Sequence, residues 1–106
     1  NLLNNLYLYF SFIGILEVLI ISPCNASYII QHGIKSWPIW ECEPSIFNWQ
    51  YNEKEVCLLL EGEATVDSLE NNIFKIKAGD LVIFPKGFKC TWNISKTIKK
   101  HYRVGD

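Results

Sequence analysis

Ile73-Phe-Lys-Ile-Lys-Ala-Gly-Asp-Leu-Val-Ile-Phe-Pro-Lys-Gly-Phe-Lys-Cys-Thr-Trp-Asn-Ile94 is the stretch whose reading decides the fold class. Phe74 and Ile76 point away from Lys75 and Lys77, as in a half-buried strand. Ala78-Gly79-Asp80 makes a tight connection into the apolar strand Leu81–Phe84, and Pro85-Lys86-Gly87 breaks that strand. Beyond the break Phe88, Cys90, Trp92 and Ile94 share one face while Lys89, Thr91 and Asn93 share the other. A period of two sustained this long fits strand and not helix.

Upstream the same grammar continues. Phe47, Trp49 and Tyr51 fall on one face of an extended segment, with Asn48 and Gln50 on the other. Val56–Glu61 runs into Gly62, and Glu63–Leu69 follows it, a pattern that predicts a hairpin turning at Gly62. Asn71-Asn72 predicts a second turn. Helix is expected only around Ser27–His32, closed by Gly33. Short strands separated by turn signals at intervals of about eight to twelve residues predict an all-β sandwich or barrel.

The chain has 106 residues, 49% of them apolar and 20% charged, which suits one domain. With 10 Lys+Arg against 11 Asp+Glu, it has no global positive field to hold nucleic acid or an anionic membrane. The charges are placed unevenly: from Asn1 to Ile34 the only charged side chain is Glu17. Residues 1–16 are therefore read as an apolar extension and residues 17–106 as the domain. Leu6–Ile21 has almost the length of a membrane span, and Cys24-Asn25-Ala26 resembles a signal-peptidase site. Against both stand the absence of a basic n-region and the presence of Glu17. The chain begins with Asn and contains no Met, so a fragment or processed product is expected. Cys24, Cys42, Cys57 and Cys90 contain no Cys-x-x-Cys pair, and with only His32 and His101 beside them no zinc-finger pattern can be assembled. Reduced, buried thiols are the expected state.

Six segments carry a family resemblance: Ser36-Trp-Pro-Ile-Trp-Glu41, Phe47-x-Trp-x-Tyr51, Glu55-Val-Cys-Leu-Leu-Leu-Glu-Gly-Glu63, Gly79-Asp-Leu-Val-Ile-Phe-Pro-Lys-Gly87, Cys90-Thr-Trp92 and Lys100-His-Tyr102. Through them the chain resembles the cupins, specifically the small single-domain branch related to the (S)-ureidoglycine aminohydrolase cupin domain. The resemblance covers roughly Ile21 to Val104. It implies a double-stranded β-helix, or jelly-roll barrel, closing on a small-molecule cavity.

Metal-binding cupins carry two signatures, and the resemblance sets this chain against them. The first is His-x-His, three or four residues, Glu, six residues and Gly. Glu55 and Gly62 keep their places, while Trp49 and Tyr51 stand where the His pair belongs. In the second, Gly79, Pro85 and Gly87 fit, but Cys90 replaces the His and Ile94 the Asn. Trp and Tyr are not normal ligands of divalent metals. The implied function is a metal-free cupin that binds a small, partly apolar or cationic molecule. Its expected pocket comprises Trp40, Trp49, Tyr51, Glu55, Cys90 and Trp92, with Trp37 also near the rim.

Each residue has a plainer alternative. Trp49 and Tyr51 would equally fill a narrow barrel. Glu55, a candidate general base, must be paired, protonated or ligand-bound if it points inward. Cys90 is a candidate nucleophile or an inert thiol. His101, within Lys99–Arg103, is a candidate acid or base, or else part of a basic edge strand. Two further functions stay open. One is an enzyme releasing ammonia from ureidoglycine or a related small amide, with Mn²⁺ as the cofactor the family uses. The other is a secreted or membrane-tethered binding module, for which Asn25-Ala-Ser27 and Asn93-Ile-Ser95 offer glycosylation acceptors. A cytoplasmic or plastid/organellar location is favoured over export. A homodimer is expected, with Val18–Ile21 as the segment pairing across it.

Overall fold

The computed structural model describes residues 6–10, 17–69 and 72–106. It contains strands β1 (Leu6–Phe10), β2 (Glu17–Ile21), β3 (Ile39–Cys42), β4 (Ser45–Gln50), β5 (Glu55–Asp67), β6 (Ile73–Lys77), β7 (Leu81–Phe84) and β8 (Lys89–Val104). One helix, α1 (Ala26–Gln31), and a 3₁₀ turn over Ile34–Ser36 link β2 to β3. The expected all-β architecture and the expected short helix are both present.

The two long strands organise the rest. β5 and β8 pair antiparallel from Glu55 opposite Val104 to Asp67 opposite Thr91. Each offers its other edge to two short strands in turn. β5 takes β7 along Glu55–Leu58 and β6 along Glu63–Asp67. β8 takes β4 along Lys89–Ile94 and β3 along Ile98–His101. One half of the sheet therefore runs β1-β2-β7-β5-β8-β3 and the other β6-β5-β8-β4. Both halves feed one core: Val18, Ile20, Cys57, Leu59, Val82 and Phe84 from the first, Val66, Phe74, Ile76, Cys90, Trp92 and Ile94 from the second. This is a jelly-roll, two faces folded over a shared interior, as the resemblance implies.

Gly62 does not turn a hairpin. It sits inside the unbroken strand β5, because β8 supplies a pairing partner on both sides of it. The inward residues of β5 are Cys57 and Leu59 before it but Ala64 and Val66 after it, a change of parity that needs one extra residue. The register shifts between Leu59 and Ala64 accordingly, as a β-bulge requires. Gly62 has φ +98, and a Cβ there would strike the Thr97 carbonyl oxygen and lie 2.7 Å from that of Lys96. Only glycine fits.

Two other expectations change. The basic run Lys99–Arg103 is not an edge, since it lies in β8 between β5 and β3. Val18–Ile21 is not a free edge either: β2 is held by β1 on one side and β7 on the other. Leu6–Phe10 of the apolar extension joins the sheet as β1, while residues 1–5 and 11–16 of the extension and of the Leu6–Ile21 segment lie outside the described residues. Among the described residues no helix is long and apolar enough to cross a membrane.

The turns follow their side chains. Asn25 Oδ1 accepts from the Tyr28 N–H at 2.8 Å and caps α1, which ends at His32 before Gly33 at φ 61. Buried Asp80 accepts from the Lys77 N–H at 3.0 Å and from the Ser22 hydroxyl, tying β2 to the Ala78–Asp80 turn. Of the expected Asn71-Asn72 turn, Asn71 lies outside the described residues. Its exit is held by the Ser68 N–H donating to the Asn72 carbonyl at 2.9 Å.

Candidate functional site

Between the two halves of the sheet lies a cavity of about 490 Å³, whose wall includes Trp40 and Cys42 from β3, Phe47 and Trp49 from β4, Glu55 from β5, and Trp92, Lys100 and Tyr102 from β8. Tyr51, just past β4, and Val104 of β8 complete it. The volume is within the range of small-molecule sites, and the wall is mostly aromatic with few polar points.

Regular alternation puts these groups together. Along β8 the inward set is Cys90, Trp92 and Ile94, then Ile98 and Lys100. Trp92 stacks on Phe47 with centroids 6.1 Å apart, as their register position opposite one another dictates. Trp40, opposite Lys100, meets Trp92 edge-on at 6.3 Å. Tyr51 is 3% exposed, stacks on Phe84 at 4.5 Å and accepts a hydrogen bond from Trp92 Nε1 at 3.2 Å. Trp49 is 52% exposed at the mouth. Of the two aromatics, then, Tyr51 fills the core and Trp49 stands at the rim, meeting Tyr51 edge-on at 6.4 Å.

The polar centre is an ion pair. Lys100 Nζ donates to Glu55 Oε2 at 2.7 Å, with the two side chains 7% and 12% exposed. The ammonium also stands 4.9 Å from the Trp40 ring and 5.0 Å from the Trp92 ring, within cation–π reach of both. The inward carboxylate expected from the sequence is thus paired. Burial works against the Lys100 charge, while the Cys57 sulfur and the Glu55 carboxylate support it, and the balance holds its pKa above the ordinary 10.5. Burial pushes the Cys57 thiol up to about 12, so at neutral pH that sulfur is uncharged.

Trp40, Trp49, Tyr51, Glu55 and Trp92 all reach the cavity. Cys90 does not line it: it is 1% exposed and borders a shallow depression with Asn48, Gln50 and Lys89. Burial pushes its thiol up to about 12, the condition of an inert thiol. Trp37 is away from the rim, packed with Leu58 and Leu81 in a second cluster. The side chain of His101 points the other way from Lys100, with Nδ1 2.9 Å from the Trp37 carbonyl oxygen. Burial raises the Tyr51 hydroxyl well above its usual range, and nearby Glu55 adds to that. All four cysteines are free. Lys100 is the residue that sequence reasoning missed. Extending the Cys90–Ile94 alternation through β8 selects Lys100 and Tyr102, and the unbroken parity was the available signal.

Among the described residues no group of three or more His, Cys, Asp or Glu side chains is placed to hold a metal ion.

Comparison with known proteins agrees with this architecture. A family model described as an EutQ-like cupin domain matches residues 30–102. A DUF861 family protein from Thermotoga maritima is 34% identical, with a TM-score of 0.77 over 84% of this chain and 98% of its own. A DUF1255 protein from Acidithiobacillus ferrooxidans shares the fold at 14% identity and a TM-score of 0.61, covering 92% of this chain and 85% of its own. So does the EutQ protein of Clostridium difficile, at 15% identity and a TM-score of 0.56, covering 94% of this chain and 65% of its own. No curated protein matches the chain.

Proposed function

The chain belongs to the EutQ-like cupin domain family, and on that premise we propose that it is a small-molecule-binding cupin that holds an organic ligand in the aromatic cavity without a metal ion. The observation that carries this reading is the 2.7 Å contact between Lys100 and Glu55. Glu55 is the one residue that keeps its identity among the four positions where the wider cupin resemblance puts metal ligands. Here its carboxylate is bound to a fixed cation. A divalent ion approaching Glu55 meets the Lys100 ammonium and finds Trp49 and Tyr51 where imidazoles are needed. The residues present therefore do not fit Mn²⁺, and no step of a Mn²⁺-dependent ureidoglycine hydrolysis is derived from them.

The cavity is suited to a compact molecule with an apolar body. Trp49 and Phe47 offer faces for that body, and Glu55 with Lys100 offers an acceptor and a donor side by side. The test is a fluorescence and thermal-shift screen of small amides, acids, alcohols and amines against the full chain, repeated on Trp49→Ala. A ligand that quenches tryptophan emission, raises the melting temperature and loses roughly tenfold or more in affinity on Trp49→Ala supports the reading. Hits unaffected by Trp49→Ala and by Glu55→Gln contradict it.

A further inference from the structure

The centre of the cavity has the parts of an ammonium receptor: two indole faces, Trp40 and Trp92, and a carboxylate, Glu55. That receptor is occupied. The Lys100 ammonium sits 4.9 and 5.0 Å from the two rings and 2.7 Å from Glu55 Oε2, and its side chain is 7% exposed. We infer that Lys100 is a tethered ligand that fills the cation position of the pocket, so that the native chain rejects amines and takes uncharged molecules bearing a hydrogen-bond acceptor for the ammonium.

The inference rests on the pocket reading above and sharpens it. A lysine ammonium has three donors, and among the described residues its one hydrogen bond is to Glu55. A carbonyl or hydroxyl oxygen entering from the Trp49 side is met by the remaining donors, while a second cation meets a charge of its own sign and an anion already taken. A carboxylate ligand gains Lys100 but stands against Glu55. An uncharged acceptor avoids both conflicts.

The experiment uses the native chain, Lys100→Ala and the double variant Lys100→Ala/Glu55→Gln, each titrated with n-butylammonium chloride, n-butanol and butyramide by tryptophan fluorescence and thermal shift. The native chain is expected to respond to butyramide and not to butylammonium. Lys100→Ala vacates the cation position, so butylammonium is expected to bind it at least about tenfold more tightly than it binds the native chain, and more tightly than butanol. The double variant is expected to lose that preference. If Lys100→Ala does not fold unaided, it is refolded with each probe. A higher folded yield with butylammonium than with butanol then supports the inference. Equal yields, equal affinities for the two probes in a folded variant, or butylammonium binding to the native chain overturn it. The two proposals fail separately: a native chain that binds the uncharged probes while Lys100→Ala shows no preference for butylammonium keeps the ligand pocket and refutes the tethered cation.

Discussion

Removing one member of the Lys100–Glu55 pair is expected to destabilise the native state far more than removing both. The two groups meet at 2.7 Å with side chains 7% and 12% exposed, so little water is at hand to replace either partner. Lys100→Ala leaves the Glu55 charge facing indole rings, a situation that typically costs about 3–5 kcal/mol. The lost contacts to Trp40 and Trp92 act in the same direction, by up to ~2 kcal/mol for a desolvated cation. Because the cavity opens past Trp49, some water reaches the abandoned carboxylate, which puts the expected loss near the lower end, roughly 3 kcal/mol. The double variant Lys100→Met/Glu55→Gln keeps the volume and removes both charges. It is expected to lie within about 1 kcal/mol of the native chain, or above it. Urea unfolding of the four members of the cycle, at constant m-value, measures the coupling directly. A single variant within about 1 kcal/mol of native, or a double variant as unstable as Lys100→Ala, would refute the argument that the pair is buried and coupled.

Further expectations follow from the same geometry. Gly62→Ala places a Cβ against the Thr97 and Lys96 carbonyls at a backbone angle of φ +98, so it is expected to lower the urea midpoint sharply or prevent folding, whereas Gly87→Ala, with no atom within 4 Å of the added carbon, is expected to show only the strain of its φ of +89. Stability should fall with rising pH from the unfolded thiol value of 9.0 toward about 12, because Cys57 and Cys90 stay protonated in the native state while the unfolded chain releases those protons; Lys100, also raised in the native state, adds to the loss above 10.5. Unfolding curves measured across that window should flatten in Cys57→Ala/Cys90→Ala, and an unchanged slope would count against the assignment. Thiol labelling of the native chain near pH 7 should modify the half-buried Cys24 and Cys42 and spare Cys57 and Cys90 until denaturant is added. Mass spectrometry of digested peptides reads this, and early labelling of Cys90 would contradict its burial.

The β architecture was legible because alternation is a local signal. Phe74/Ile76, Leu81–Phe84 and Phe88/Cys90/Trp92/Ile94 each show their faces within a few residues, and the structure places each as read. Gly62 was not legible in this way. A glycine between two β-prone runs marks a turn or a bulge with equal local consistency, and the choice depends on the Lys96–Lys99 part of β8, more than thirty residues further along the chain. The same non-local pairing decided the standing of Val18–Ile21 and of Lys99–Arg103, each of which looks like an edge until its neighbours are known. In the site, Glu55 stands out by its place in the family signature, and an inward carboxylate demands a partner. The partner was overlooked because Lys100 lies in a basic run that reads as solvated surface, and its burial appears only when the parity of β8 is carried from Trp92 past Ile98. Cys90 was placed in the pocket by its position in a family signature. The register puts it opposite Trp49 instead, and it lines the neighbouring depression and not the cavity.

Native mass spectrometry of the full chain, purified from cells supplied with Mn, Fe, Zn and Ni and compared with Glu55→Ala, tests the central claim most directly. The account predicts a chain free of stoichiometric metal, either bare or carrying an organic adduct that is released on unfolding. About one metal ion per chain, lost in Glu55→Ala, would contradict it and make Glu55 a metal ligand in place of the partner of Lys100.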